Sequence, residues 1–342
     1  QSNFAFVMNI LVTGANGFIG SFVIEEGVRR GYNMWAAVRR GSNCGYIDEK
    51  RVHLLHIDYS SEKSILNTLY EHKNNFGAFD VIIHTAGVTK SSNSKGFDDG
   101  NYHITERLIN ALCHADMLPK QFIYMSTLGT YGAVHEKEPF ETIKENDIQV
   151  PETNYGKSKL KTEILLKSIP GLNYVIFRPT GVYGPRDKDY FLMAKSIKYR
   201  FNFISGIKRQ SITFIYVKDL VKAIYSAIDK EVQKRCYFVS DGNQYSSTEF
   251  GNLIAAEFGY KWIINLKCPL PLVWIICHTL GGVAALFGKT FTLNRDKYHI
   301  VAQRNWLCDI TALQQELDFT PDYPLQRGVK ETVEWYKSNG WL

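Results

Sequence analysis

Six cysteines in 342 residues form no CxxC pair, and no histidine stands at zinc-ligand spacing from them. A zinc site and a disulfide framework are therefore not expected. Cys44, Cys113, Cys236, Cys268, Cys277 and Cys308 read as free thiols of a reducing compartment. Charge of one sign is also scarce. The formal net charge of +6 is mild for this length, and the richest basic stretch, Lys195 to Arg209, is dilute enough to read as a solvated helix face. That excludes an expected role in binding nucleic acid. Internal repeats and low-complexity tracts are missing, which argues against a solenoid or a linker protein. No secretory signal is read at the start, where Gln1-Ser2-Asn3 resembles the remnant of a protease site, so a cytoplasmic setting is expected.

What is present is an ordinary globular composition, 45% hydrophobic and 22% charged, on a chain long enough to bury a large core. Up to Pro185, strand-like apolar runs alternate with helical patterns, the signature of βαβ units around a parallel sheet. Strands are expected at Asn9–Thr13, Met34–Val38, Val52–Ile57, Asp80–His84, Gln121–Met125 and Tyr174–Arg178. Phe214–Val217 and Cys236–Val239 read as further strands of the same sheet. Helices are expected near Phe18–Gly31, Asn101–His114, Tyr155–Ser168 and Val217–Ile228. The alternation fails in 186–213 and after Gly242. The chain therefore divides into a Rossmann-type, doubly wound α/β domain (4–185 with 214–241) and a smaller, C-terminal substrate lobe (186–213 with 242–342).

Between the first strand and helix lie Gly14, Gly17 and Gly20, in the run Thr13-Gly-Ala-Asn-Gly-Phe-Ile-Gly20. One glycine makes a tight turn, one lets backbone approach a pyrophosphate, and one lets helix and strand pack closely. The free N–H groups of the helix start, at Asn16, Phe18 and Ile19, then face phosphates. No carboxylate occurs between Tyr32 and Tyr46 to bind an adenosine ribose; Arg39 and Arg40 stand there instead. A guanidinium pairs with a 2′-phosphate, so Arg39 favours NADP(H), with NAD(H) as the alternative.

Tyr155 and Lys159 are four residues apart and share a helix face. A phenol of pKa about 10 is a poor acid–base group at neutral pH. An ammonium about 4 Å away, at an effective dielectric of about 20, contributes roughly 4 kcal/mol, or about three pK units. Tyr155 would thereby exchange protons with a carbonyl or hydroxyl oxygen. Thr127, just past the fifth strand at the sheet edge where such folds bind ligands, is the expected second donor to that oxygen, with Ser126 its neighbour.

These motifs together resemble the extended short-chain dehydrogenase/reductases, the superfamily of sugar-nucleotide epimerases, dihydroflavonol reductases and 3β-hydroxysteroid dehydrogenases. The matching segments are TGANGFIG (Thr13–Gly20), Asp58-Tyr59, HTAG (His84–Gly87), MSTLGTYG (Met125–Gly132), YGKSK (Tyr155–Lys159), RPTGVYGP (Arg178–Pro185) and FIYVKDL (Phe214–Leu220). The resemblance implies a seven-stranded Rossmann sheet and frequent homodimers. It places Asp58 and Tyr59 at the adenine, Thr85, Ala86 and Gly87 by the cofactor ribose, and Pro179 and Val182 by the nicotinamide. It also places Thr127 at the catalytic Ser/Thr position. His84 is expected to pack rather than act as a base, Tyr131 and Tyr183 are open between packing and function, and Arg186 and Asp187 between a hinge and substrate contacts.

Sugar-nucleotide members of that superfamily usually carry an Arg just before the strand written here Thr213–Val217. This chain has Ser211-Ile212-Thr213 there, with Arg209 out of register. Cys268 to Gly288 is an uncharged apolar run, expected as a buried or lid helix, with a helix on a membrane surface or a span as alternatives. Both features suit a hydrophobic small-molecule substrate. The sequence therefore points to an NADP(H)-dependent ketone/alcohol oxidoreductase with peripheral membrane contact open. A nucleotide-sugar epimerase, dehydratase or reductase is the runner-up, followed by a non-catalytic NADP-sensing regulator.

Overall fold

The computed structural model describes residues 7–286 and 294–342, with the side chains of 280–286 outside the description. Residues 4–6 of the expected dinucleotide domain and the last two residues of the apolar run, 287 and 288, therefore lie outside the described residues. The chain opens with β1 (Asn9–Thr13), α1 (Phe18–Arg29), β2 (Asn33–Val38), β3 (His53–His56), α2 (Glu62–Phe76) and β4 (Val81–His84). A short helix, α3 (Ser94–Phe97), passes through a π-helical turn at Asp98–His103 into α4 (Ile104–His114). Then come β5 (Gln121–Met125), α5 (Asn154–Ser168), β6 (Tyr174–Pro179), β7 (Gly181–Tyr183), α6 (Asp189–Lys198) and β8 (Phe201–Ser205). They are followed by β9 (Phe214–Tyr216), α7 (Val217–Asp229), β10 (Arg235–Val239), α8 (Glu249–Glu257), β11 (Ile264–Cys268) and α9 (Leu270–Leu286). Helices α10 (Arg295–Ala302), α11 (Thr311–Leu317) and α12 (Leu325–Ser338) complete the described chain.

Seven parallel strands form the central sheet in the order β10-β6-β5-β4-β1-β2-β3. Its strands are apolar on both faces, as a sheet covered by helices on both sides requires. Ile10 and Val12 pack on one side with α1 and α7, while Leu11 packs on the other with α2 and α4. The fold is thus the Rossmann-type α/β architecture that the alternation of elements implies.

Two expectations are corrected. Strand β9 does not join the central sheet; it pairs with β7, from Gly181↔Phe214 to Tyr183↔Tyr216. The free edge of β6 is already taken by β10, from Arg235↔Val175 to Val239↔Pro179. The basic stretch Lys195–Arg209 is not one helix face either. Only Lys195 and Lys198 lie on α6, and the rest follows β8 and a loop.

Strands β7 and β9 join α8 and α12 in a separate, largely aromatic core of Tyr183, Phe214, Tyr216, Phe250, Leu325 and Tyr336. Strands β8 and β11 form a two-stranded parallel sheet at its side. The segment carrying Ile310, Leu313, Leu317 and Phe319 instead packs into the core of the central sheet.

Candidate active site

Strands β1, β4, β5 and β6 end together at Thr13, His84, Met125 and Pro179. Beyond these ends lies a cleft of about 810 Å³ lined by Gly14, Asn16, Gly17, Phe18, Ile19 and Gly20 on one side. Thr85, Gly87, Thr127, Tyr155, Lys159, Pro179 and Val182 line the other. Gly14 has φ +66°, and a Cβ there would lie 2.8 Å from the Ala86 backbone. At Gly20 a Cβ would come within 2.3 Å of the Gly14 carbonyl, so α1 could not approach β1 so closely. Gly17 caps α1 without a side-chain hydrogen bond, and the first turn carries no acidic residue. These N–H groups and the cleft's size fit the phosphates of a dinucleotide.

Four expected residues stand off this lining. Ala86 backs the Gly14 turn, donating its N–H to Thr13 Oγ1 at 3.3 Å. Arg39 is exposed just past β2. Asp58 accepts from Ser60 N at 2.9 Å and Ser60 Oγ at 2.8 Å, which hold its carboxyl below the usual range. The Tyr59 hydroxyl is buried without a hydrogen-bond partner among the described residues, and burial pushes it up while the nearby Arg39 charge opposes that rise.

Helix α5 starts at Thr153, whose side chain accepts from Gly156 N at 2.9 Å. Its face presents Tyr155 and Lys159 together, with the ammonium 5.8 Å from the phenol ring centroid. Lys159 Nζ donates to the Met125 carbonyl at 2.8 Å and stands 4.8 Å from the Tyr124 ring. Burial is the dominant force on both groups. It pushes the Tyr155 phenol up to about 12 and the Lys159 ammonium down to about 8, Glu163 opposing the latter. The expected lowering of Tyr155 is thus corrected: Lys159 is turned to a backbone carbonyl, and desolvation outweighs its charge.

Thr127 and Ser126 separate cleanly. Ser126 Oγ donates to Glu163 Oε1 at 2.5 Å, and Glu163 is in turn gripped by Arg178 at 2.6 Å, with both charged side chains buried. Among the described residues Thr127 Oγ1 accepts from Gly129 N, at 3.1 Å, and its own hydroxyl proton stays available for donation. His84 is buried between Thr13 Oγ1 (2.7 Å) and Thr105 Oγ1 (2.8 Å). Burial and the Lys159 charge hold its imidazole down at about 3, so it packs as a neutral ring. Tyr131 packs too, bonding Glu145 O and Arg178. The Tyr183 hydroxyl is buried without a hydrogen-bond partner among the described residues. Arg186 pairs with Glu25 at 2.5 Å and with Ser21 Oγ at 2.9 Å, bracing α1 at the cleft rim. Asp187 also lines the cleft, and burial lifts its carboxyl to about 6.

A second cavity, of about 370 Å³, adjoins the cleft and shares Thr127, Tyr155, Pro179 and Thr180 with it. Its wall is largely apolar, from Leu128, Met193, Ile212, Phe214, Phe250 and Trp306. Among the described residues lining it there is no Lys or Arg, and neither Arg209 nor Arg304 reaches it.

Three residues here escaped sequence reasoning. Thr180 lies inside the matched RPTGVYGP segment, where a signal existed. Asn101, on the π-helical turn, bonds Val88 N at 2.9 Å and Ser158 Oγ at 3.0 Å beneath Lys159. Asp296, on α10, accepts from Asn154 N at 3.2 Å and Tyr155 N at 3.0 Å.

A UDP-glucose 4-epimerase of Vibrio cholerae is 27% identical over 95% of this chain and 94% of its own length. A sterol-4-alpha-carboxylate 3-dehydrogenase (decarboxylating) of Dictyostelium discoideum is 23% identical over 83% of this chain and 86% of its own. Among solved structures, UDP-glucose 4-epimerase of Thermotoga maritima superposes with a TM-score of 0.77 at 22% identity, covering 97% of this chain and 99% of that one. The model of the NAD dependent epimerase/dehydratase family matches residues 10–239, and the chain belongs to that family as an NAD(P)-dependent enzyme of the extended short-chain dehydrogenase/reductase type.

Proposed function

We propose that the protein is an NADP(H)-dependent oxidoreductase interconverting a ketone and a secondary alcohol on a hydrophobic substrate. One observation carries this reading. Thr127 and Tyr155 stand on the boundary between a glycine-lined cleft and an apolar cavity that offers no cation to a diphosphate. A nicotinamide bound in the cleft supplies or accepts the hydride. Gly14, Gly17 and Gly20 would admit its phosphates, Arg39 would pair with a 2′-phosphate, and Asp58 and Tyr59 would hold the adenine. Thr85, Ala86 and Gly87 would hold its ribose, and Pro179 and Val182 the nicotinamide.

In reduction, Tyr155 Oη donates its proton to the carbonyl oxygen as the carbon gains the hydride. Thr127 Oγ1 donates a hydrogen bond to that same oxygen. A phenol held up at about 12 is fully protonated beforehand, as a general acid must be. The Lys159 charge, moving nearer as it leaves Met125 O, would stabilise the phenolate that remains. The apolar wall accepts a sterol-like, polyphenol-like or long-chain keto-lipid body, and the Dictyostelium relative is a sterol-4-alpha-carboxylate 3-dehydrogenase.

The relatives named as nucleotide-sugar enzymes favour a second reading, an epimerase or reductase of such sugars. The test is a cofactor-oxidation screen of steroid, lipid and aromatic ketones with NADPH and NADH in parallel, alongside melting curves with UDP and dTDP. Turnover of an apolar ketone with NADPH and no shift with either nucleotide is expected. A large shift with UDP or dTDP and no ketone turnover would transfer the protein to the second reading.

A further inference from the structure

The parallel pairing of β8 with β11 sets Phe201 beside Ile264 and Phe203 beside Leu266. Paired residues of adjacent strands point to the same face, so these four share one. All four are exposed, Phe203 by 61%. The opposite face carries Asn202 and Ile204, both buried, and Ile204 lines the apolar cavity. Helix α9 starts just past β11 and extends the apolar strip with exposed Leu272, Trp274 and Ile275, while Val273 and Cys277 turn inward. Gly206 N donates to Cys268 O at 2.7 Å, tying the two segments together, and Ile207 beside it is 65% exposed. Trp262, 60% exposed, flanks the sheet beneath the Arg200 guanidinium at 4.6 Å. A continuous strip of this kind needs a cover.

The charges choose the cover. No Asp or Glu occurs from 195 to 213 or from 258 to 286, whereas Lys208, Arg209 and Lys261 fringe the strip and are exposed. A second copy docked face to face about a two-fold axis would set these cations against their own images. Anionic headgroups neutralise them while the aromatic and aliphatic side chains enter the acyl boundary. We propose that this face, built by β8, β11 and the first turns of α9, docks on the surface of an anionic lipid bilayer. The docking is on the surface, and among the described residues no helix is long and apolar enough to span a membrane. Ile204, on the inner face of the same small sheet, lines the cavity, so the docking face backs onto the cavity wall. The docking does not depend on the redox reading above.

Flotation of the full chain with vesicles of phosphatidylcholine, alone or mixed with phosphatidylserine, tests this without any substrate. Binding to the anionic vesicles is expected to be tighter by about tenfold or more and to weaken with salt. The Lys208→Glu/Lys261→Glu variant should lose about tenfold or more of it. Trp262→Ser/Trp274→Ser should lose binding to both compositions. Both variants carry only exposed changes, and their melting temperatures report whether the fold is kept. Equal binding to the two compositions, or none, would overturn the proposal. So would a dimer in sedimentation that the tryptophan variant dissociates, which would assign the face to a second copy.

Discussion

Lys159 meets two opposed demands. Burial drives its ammonium down to about 8, while stabilising a phenolate at Tyr155 requires the charge. The cationic form is therefore present below about pH 8 and is lost as pH rises through that value. The pH profile of kcat/KM for reduction, which reports groups of the free enzyme, should fall above about 8. Lys159→Arg, whose guanidinium does not deprotonate, should carry that limb out of range even if the rate drops. A limb at the same pH in the variant would assign it to another group. Arg39 bears on cofactor choice. Arg39→Ala should weaken NADPH by about tenfold or more, a charge-assisted phosphate contact amounting to about 1.5–3 kcal/mol, and leave NADH nearly unchanged in titration. Equal losses for both cofactors would place Arg39 away from the 2′-phosphate. At this scale the Tyr155/Lys159 pair was legible because a four-residue spacing puts two side chains on one helix face. The direction of Tyr155's shift was not, because desolvation depends on what surrounds the ring.

Helix α5 carries the pair and is held at its start from two sides. Thr153 caps it locally, and Asp296 of α10 reaches in from 141 residues away to accept from Tyr155 N. Helix α10 also supplies His299, Ile300 and Val301 to the apolar cavity, so one carboxylate ties that cavity's wall to the first turn of α5. Asp296→Ala should cost about 1 kcal/mol in urea unfolding, as for a lost N-cap, and raise KM for the ketone while NADPH affinity holds. Asp296→Asn, which keeps an acceptor, should restore most of it. Unchanged KM in the Ala variant would reduce Asp296 to a structural cap. The first six strands were legible to within two residues, since a buried parallel strand is a continuous apolar run between turn residues. Strand β9 was assigned to the wrong sheet because composition says nothing of which edge is free. Asp296 left no trace either: a contact between distant segments has no local pattern.

The molecule as a whole joins two surfaces of different chemistry at one pair of side chains. The glycine turn and the start of α1 present N–H groups of a kind that fits phosphates, and the aromatic core around β7, β9 and α8 borders an apolar chamber. Thr127 and Tyr155 belong to both. The glycine turn between β1 and α1 was readable in the sequence. The lack of Lys and Arg among the described residues lining the chamber was not, because those residues come from Thr127 through Trp306 and meet only in the fold. Since hydride transfer needs both compartments and proton transfer needs one oxygen atom, the sharpest measurement separates binding from chemistry. Tyr155→Phe removes that atom and leaves the ring. NADPH titration and ketone turnover measured on the same preparation should show affinity within about twofold of the parent and turnover lowered by about a hundredfold or more. Turnover retained in Tyr155→Phe, with NADPH still bound, would contradict the assignment of proton transfer to this phenol.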